Sequence, residues 1–233
     1  MKIIVHTNGE RGKGEYGWLS TRYSFSFSNW YNKNKMGFGA LRVLNDDVIA
    51  GGQDFSTHGH QDMEIITIVM HGAIRHADSM GNEYVVNEGD VQVMSAGTGV
   101  MHSEHNNSDT VALELFQLWI EPKEKAITPR YDQRNFNFKE VKNDFVQLVG
   151  KETLTINQDA YIFYGALDAG ASLKYSLHNS FFGVYILVIE GSLTVIDEKL
   201  EKRDAIGISD VDYIEITGST YTTFLVIEVP MKA

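Results

Sequence analysis

The stretch ITIVMHGAIRHAD, Ile66–Asp78, decides the fold, because it returns as YILVIEGSLTVID at Tyr185–Asp197. In each copy a β-patterned run meets a glycine, Gly72 or Gly191, and resumes beyond it, so one strand–turn–strand unit occurs twice. Further along, GDVQVMSAG from Gly89 stands beside RDAIGISDV from Arg203. Similar short runs fill the rest of the chain, at Phe38–Val43, Glu64–Met70, Val91–Met94, Leu113–Ile120, Tyr185–Ile189, Leu193–Ile196, Tyr213–Ile216 and Thr222–Val229. They are rich in Val, Ile, Phe and Tyr and bounded mostly by glycine or Asn/Asp turns. Helical periodicity is weak throughout. The pattern predicts an all-β chain of sandwich or barrel type, built from two similar units in tandem. Two of the three prolines, Pro122 and Pro129, fall in the segment 121–145, which reads as the connection between them. The expected division is 1–130 and 131–233.

A chain of 233 residues can hold one large β unit or two small domains. Hydrophobic residues at 43% and charged residues at 22% suit a soluble globular protein and leave room for a sizeable core. The formal charge of −11 would repel a phosphate backbone or an anionic bilayer, so neither nucleic acid nor membrane is an expected partner. The chain has no cysteine, which excludes disulfides, thiolate ligands and a cysteine nucleophile; any metal must take nitrogen and oxygen donors. The N-terminal MKIIVHTNGERGKG lacks the apolar core of a signal peptide, and no window reaches the ~20 apolar residues of a spanning helix. The expected location is the cytoplasm.

Chemistry concentrates in two clusters. The first is Thr57-His58-Gly59-His60-Gln61-Asp62-Met63-Glu64, and the second, about forty residues later, is Gly99-Val100-Met101-His102-Ser103-Glu104-His105-Asn106. On a strand, side chains two apart share a face, so His58, His60 and Glu64 can point one way, as can His102 and Glu104. Folded together they could surround one ion, and three imidazoles with a carboxylate would leave positions open on an octahedral metal. His-x-His alone is a weak signal, because many strands carry it without a metal. The second cluster strengthens it, although alternation leaves the choice between Glu64 and Glu104 open.

These residues resemble the cupin superfamily. Gly52, His58, His60, Glu64 and Gly72 follow the first cupin motif, with the last gap one residue long. Gly89, Gly97, His102 and Asn106 follow the second, with Ser95 in place of proline. More narrowly the chain resembles the pirin family and its bacterial quercetin 2,3-dioxygenases, through FSFSNWY, MGFGALRVLNDDVIAGGQ, THGHQDMEI, DSMGN, MSAGTGVMHSE and ITPRY. Relatives carry His-Pro-His where this chain has His58-Gly59-His60, and that glycine loosens the backbone between two ligands. The resemblance implies a fold of two tandem jelly-roll-like cupin barrels, a bicupin. It implies His58, His60, His102 and Glu104 as metal ligands, with Glu104 also the catalytic base, and releases Glu64 for a supporting hydrogen bond. It implies one divalent ion, iron first, with nickel, cobalt, manganese, copper or zinc as alternatives. The implied reaction opens a flavonol ring with O₂ and releases CO.

Aligned on the repeat, the second half places Leu177 and Asn179 at the positions of His58 and His60, and Ile216 and Gly218 at those of His102 and Glu104. No ligand is expected there, and His178 has the wrong parity. His6, His71, His76, His105 and His178 are expected to be structural or solvated. Tyr23, Phe25, Phe27, Trp30 and Tyr31 could wall a flavonoid-sized pocket, but strand periodicity assigns the alternating three to the core. Two other readings remain. One is a metal-bearing regulator acting through a protein partner, suggested by a ligand-free second half and an acidic surface. The other is a closed structural zinc site.

Overall fold

A computed structural model describes residues 1–231. Among the described residues all regular structure is β, apart from two single-turn 3₁₀ helices. Each half has a large sheet and a four-stranded sheet. In the first half the large sheet runs, in spatial order, Arg130–Asn135, Asp90–Ser95, Glu64–His71, Leu113–Ile120, Leu41–Ile49, Leu19–Tyr23 and Gly12–Glu15. Its small sheet runs Asp54–His60, Val100–Asn106, Ala73–Asp78 and Glu83–Asn87. The second half repeats the plan. Its large sheet runs Lys2–His6, Ala205–Ser209, Phe182–Glu190, Thr222–Pro230, Tyr161–Leu167 and Asp144–Val149. Its small sheet runs Ser172–Ser176, Tyr213–Gly218, Leu193–Val195 and Glu198–Leu200. Two cupin barrels result, as the tandem pattern predicts.

Alternation explains how the barrels join. Along Glu64–His71, Ile66 and Ile68 face outward and share a core with Leu41, Leu44, Phe116 and Leu118 of the first barrel and Tyr185, Leu187, Leu225 and Ile227 of the second. Each side chain so buried stabilises by ~1.5–3 kcal/mol, so the two large sheets are held face to face over their length. Ile65, Thr67 and Val69 turn inward. Polar contacts fix the alignment at one edge: Asp46 Oδ2 accepts from Arg11 of its own barrel and from Arg203 of the other, each at 3.2 Å.

The repeat extends to irregularities. Gly72 and Gly191 both sit at the turn from the large to the small sheet with φ of 80° and 77°. Each preceding strand carries a bulge just before that glycine, at Met70 and Ile189. Arg203 has φ 70°, matching the left-handed Gly89 with which the sequence aligns it.

Three expectations change. The strand read at Phe38–Val43 begins at Leu41, because Phe38 pairs back onto Leu41 in a tight turn and presses its ring against Gly183 and Gly207 of the second barrel. Segment 121–145 is not bare connection, since Arg130–Asn135 pairs with Asp90–Ser95 and extends the first large sheet. Lys2–His6, conversely, leaves the first half and pairs with Ala205–Ser209, taking in the second sheet the edge that Arg130–Asn135 takes in the first.

Candidate metal centre and cavity

The site lies where Asp54–His60 pairs with Val100–Asn106. Their register sets His102 opposite His58 and Val100 opposite His60. In Val100–Asn106, positions 100, 102, 104 and 106 are buried and the residues between them are not, so His102 and Glu104 face the barrel interior together, as alternation predicts. Asn106 anchors the strand by donating from Nδ2 to the carbonyls of Ile49, Ala50 and Val111.

Three imidazoles converge. His58, His60 and His102 each offer a nitrogen within 4.8 Å of the others, and the Nε2 atoms of His58 and His102 are 3.0 Å apart. Two nitrogens bound at right angles to one ion at ~2.1 Å would be about 3.0 Å apart, so this pair fits a shared metal. His58 Nδ1 lies 2.9 Å from the Ser56 carbonyl, a bond that fixes the proton on Nδ1 and leaves the Nε2 lone pair free. Burial, with the neighbouring imidazoles, pushes His60 down to about 4 and His102 to about 3, so both are neutral donors at physiological pH. Glu104 is buried and its carboxyl is pushed up to about 7. Gln117 Nε2 donates to its Oε2 at 3.1 Å, while its Oε1 has no protein partner. A buried, unpartnered carboxylate oxygen beside a histidine suits a cation, and the set fits a divalent ion.

The four residues are not in one tight set. Glu104 lies within 4.8 Å of His102 and His76, and this second set shares only His102 with the first. His76 is fully buried, and its Nε2 lies 3.2 Å from Asp78 Oδ2. Its Nδ1, like His102 Nδ1, is buried without a partner. Glu64 is also buried, but it accepts from Ser95 Oγ and the Asn157 amide rather than from an imidazole, so it ties the barrels together and supports no ligand. His71 is half-exposed beside Glu88, His105 sits beside Asp54, and His6 is buried against Tyr185.

Beside the imidazoles opens a cavity of ≈ 360 Å³, within the ~300–1,000 Å³ usual for small-molecule sites. Its walls include Trp18, Tyr23, Phe27, Phe55 and Trp119, and His58, His60 and Glu104 line it too. The aromatic series therefore divides: Tyr23 and Phe27 face the cavity, Phe25 enters the inter-barrel core, and Tyr31 is exposed.

Behind the cavity a polar row crosses the large sheet, Asn45 to Gln117 to Thr67 to Gln92 to Gln133, each opposite the next. Tyr131 donates its hydroxyl to Gln133 Oε1 at 2.6 Å, with Gln92 Oε1 3.1 Å from the same oxygen. The matching row of the second barrel is Phe163, Val226, Ile186, Ile206 and Val5.

Register also corrects the alignment of the second half. With Gly72 on Gly191, Ile74 matches Leu193, and their partners Asn106 and Gly218 match in turn. His102 and Glu104 then correspond to Ile214 and Ile216, and His58 and His60 to Tyr175 and Leu177. The sequence alignment was two residues out. Still no ligand stands there. Tyr175 and His178 instead bond to Glu228, a fully buried carboxylate, and His178 stacks on Tyr161 at 3.6 Å.

The fold and site together define a two-barrel cupin with a cluster of nitrogen and oxygen donors that fits a divalent metal ion. The chain belongs to the pirin family. The pirin family model matches residues 5–120, and that of the quercetinase C-terminal cupin domain matches 149–229. A quercetin 2,3-dioxygenase of Escherichia coli (strain K12) is 41% identical over 231 residues, 98% of this chain and 99% of that protein. A pirin-like protein of Caulobacter vibrioides is 40% identical, covering 89% of this chain and 90% of its own. The crystal structure of the bacterial pirin YhhW from Escherichia coli, in complex with nickel(II), superposes with a TM-score of 0.93 at 39% identity, covering 99% of this chain and 100% of that one. No helix among the described residues is long and apolar enough to cross a membrane.

Proposed function

We propose that this protein is a metal-dependent dioxygenase of the quercetin 2,3-dioxygenase type, with His58, His60, His102 and Glu104 as ligands of one divalent ion. The observation that carries the reading is the convergence of three imidazoles at the edge of an aromatic cavity that Glu104 also lines. Full-length similarity to proteins named for this reaction supports it. Iron is the expected metal; the same donors accept nickel, cobalt, manganese, copper or zinc.

When bound, the metal supplies a Lewis acid that acidifies a chelating hydroxyl of the flavonol. The rest falls to the chain. Trp18, Phe27, Phe55 and Trp119 offer flat apolar faces to a planar ligand and keep bulk water from the ring. Gln117 holds Glu104 Oε2, so Oε1 is the oxygen left both to meet the metal and to accept the substrate hydroxyl proton. The test is aerobic incubation of metal-loaded protein with quercetin: flavonol absorbance falls and CO is released. A metal-replete preparation that does neither refutes the assignment.

A further inference from the structure

The cavity has a second polar corner, made by Thr21, Asn45 and Asp47 on the large sheet, where Asn45 is paired with Gln117. Asn45 and Asp47 lie two apart on Leu41–Ile49, so both point inward, with ~6.6 Å of strand between them. Thr21 is opposite Asp47 on the neighbouring strand. Asn45 and Asp47 are 3% and 4% exposed, and both line the cavity. Asn45 Oδ1 and Asp47 Oδ1 are buried without a hydrogen-bond donor. Leaving such groups unsatisfied costs ~1–3 kcal/mol each, so three polar residues here need a reason beyond stability.

The second barrel supplies an internal control. By the registers above, Thr21, Asn45 and Asp47 correspond to Phe145, Phe163 and Gly165. There Phe224 packs its ring onto Gly165, with Phe145 6.0 Å from it and Phe163 6.1 Å from Phe145. The same backbone thus closes this corner with three aromatic rings when no ligand is served. In the first barrel the corner stays open and carries acceptors.

We infer that Asn45 and Asp47 are specificity-determining residues that accept hydrogen bonds from a pair of neighbouring phenolic hydroxyls of a planar aromatic ligand. The inference rests on the proposed flavonol reaction and names which flavonols the site favours. Acceptors call for donors, and the aromatic side chains that line the same cavity call for a flat ligand. In a flavonol the 5-hydroxyl donates internally to the 4-carbonyl, so a catechol on the pendant ring offers the adjacent free donors. Thr21 can donate to Asp47 and orient its carboxyl.

The test compares quercetin with galangin, which lacks only the two pendant-ring hydroxyls, on the metal-loaded protein. The kcat/KM ratio should favour quercetin by at least about tenfold, the effect of one well-placed polar partner. Asp47→Ala and Asn45→Ala should each bring the ratio within about twofold, and Asp47→Asn, which retains an acceptor, should fall between. Because the readout is a ratio within one preparation, partial misfolding does not mimic the result. If the parent consumes both flavonols equally, or both alanine variants keep the full preference, the assignment is overturned while the dioxygenase reading stands. If the parent consumes neither, the dioxygenase reading fails and takes this inference with it.

Discussion

Replacing Asp47 by asparagine should change how stability depends on pH. Burial, chiefly, raises the Asp47 carboxyl from 3.8 to about 7, with Asp46 and Glu104 adding to the rise and Thr21 opposing it. A carboxyl raised on folding contributes stability that is fully present below pH 3.8 and is lost as pH climbs through 7, because the unfolded chain ionises first. Relative to a group that never ionises, the loss is ~1.7 kcal/mol at pH 5 and ~4 kcal/mol at pH 8, taking 1.36 kcal/mol per pH unit. Asparagine has nearly the same shape and no such loss. The Tm of Asp47→Asn minus that of the parent should therefore rise between pH 5 and pH 8 by about 5–10 °C, since 1 kcal/mol moves a chain of this size by ~2–4 °C. Both proteins are melted with chelator present, so metal binding does not vary with pH, and the subtraction removes titrations they share. A Tm difference that stays flat, or shrinks, from pH 5 to pH 8 would show that Asp47 is ionised throughout and has solvent or a cation beside it.

Three further outcomes follow from contacts already described. Glu104→Gln should lower kcat for CO release by ~10²–10⁴ through loss of the proton acceptor, and full metal content with full activity would return the choice to Glu64. Glu228→Ala, which strips Tyr175 and the His178 amide of their acceptor, should cost about 3 kcal/mol, or ~6–12 °C in Tm, without altering metal content measured by elemental analysis. Gly59→Ala should raise stability by ~0.4–1 kcal/mol: Gly59 is not in a left-handed conformation, and the one close approach of the new Cβ is to Met101 Sδ, at 2.8 Å on a half-exposed side chain that can swing away. A chelated sample that melts lower than the parent would mean Met101 is held.

Strand parity made His58 with His60, and His102 with Glu104, visible in the sequence, because a period of two survives any fold that keeps the strands. Parity also concealed an error. Sliding the second half by two residues keeps every side chain on its face, so the displaced alignment looked as regular as the correct one until hydrogen-bond partners fixed the register. His76 was invisible for a related reason. It reaches Glu104 only because Ala73–Asp78 pairs with Val100–Asn106 in one register, and nothing local to His76 encodes that pairing. The polar row of Asn45, Gln117, Thr67 and Gln92 draws on four strands out of sequence order, so each residue alone reads as an ordinary polar position in a β run. Choosing Glu104 over Glu64 needed the family resemblance. The structure adds a physical distinction: Glu64 and Glu104 each keep a buried, unpartnered Oε1, but only Glu104 lies within 4.8 Å of His102.

The exchanged first strand sets a clock on biosynthesis. Lys2–His6 is synthesised about two hundred residues before its partner Ala205–Ser209, a delay of ~10–40 s at 5–20 residues per second. Through that interval the first barrel can close while a short strand, Lys-Ile-Ile-Val-His, waits with its backbone unpaired. When the second sheet arrives, a segment made before the first barrel is among the last to dock. Anything that tethers or crowds Lys2–His6 would therefore be felt at the end of folding, in the second barrel.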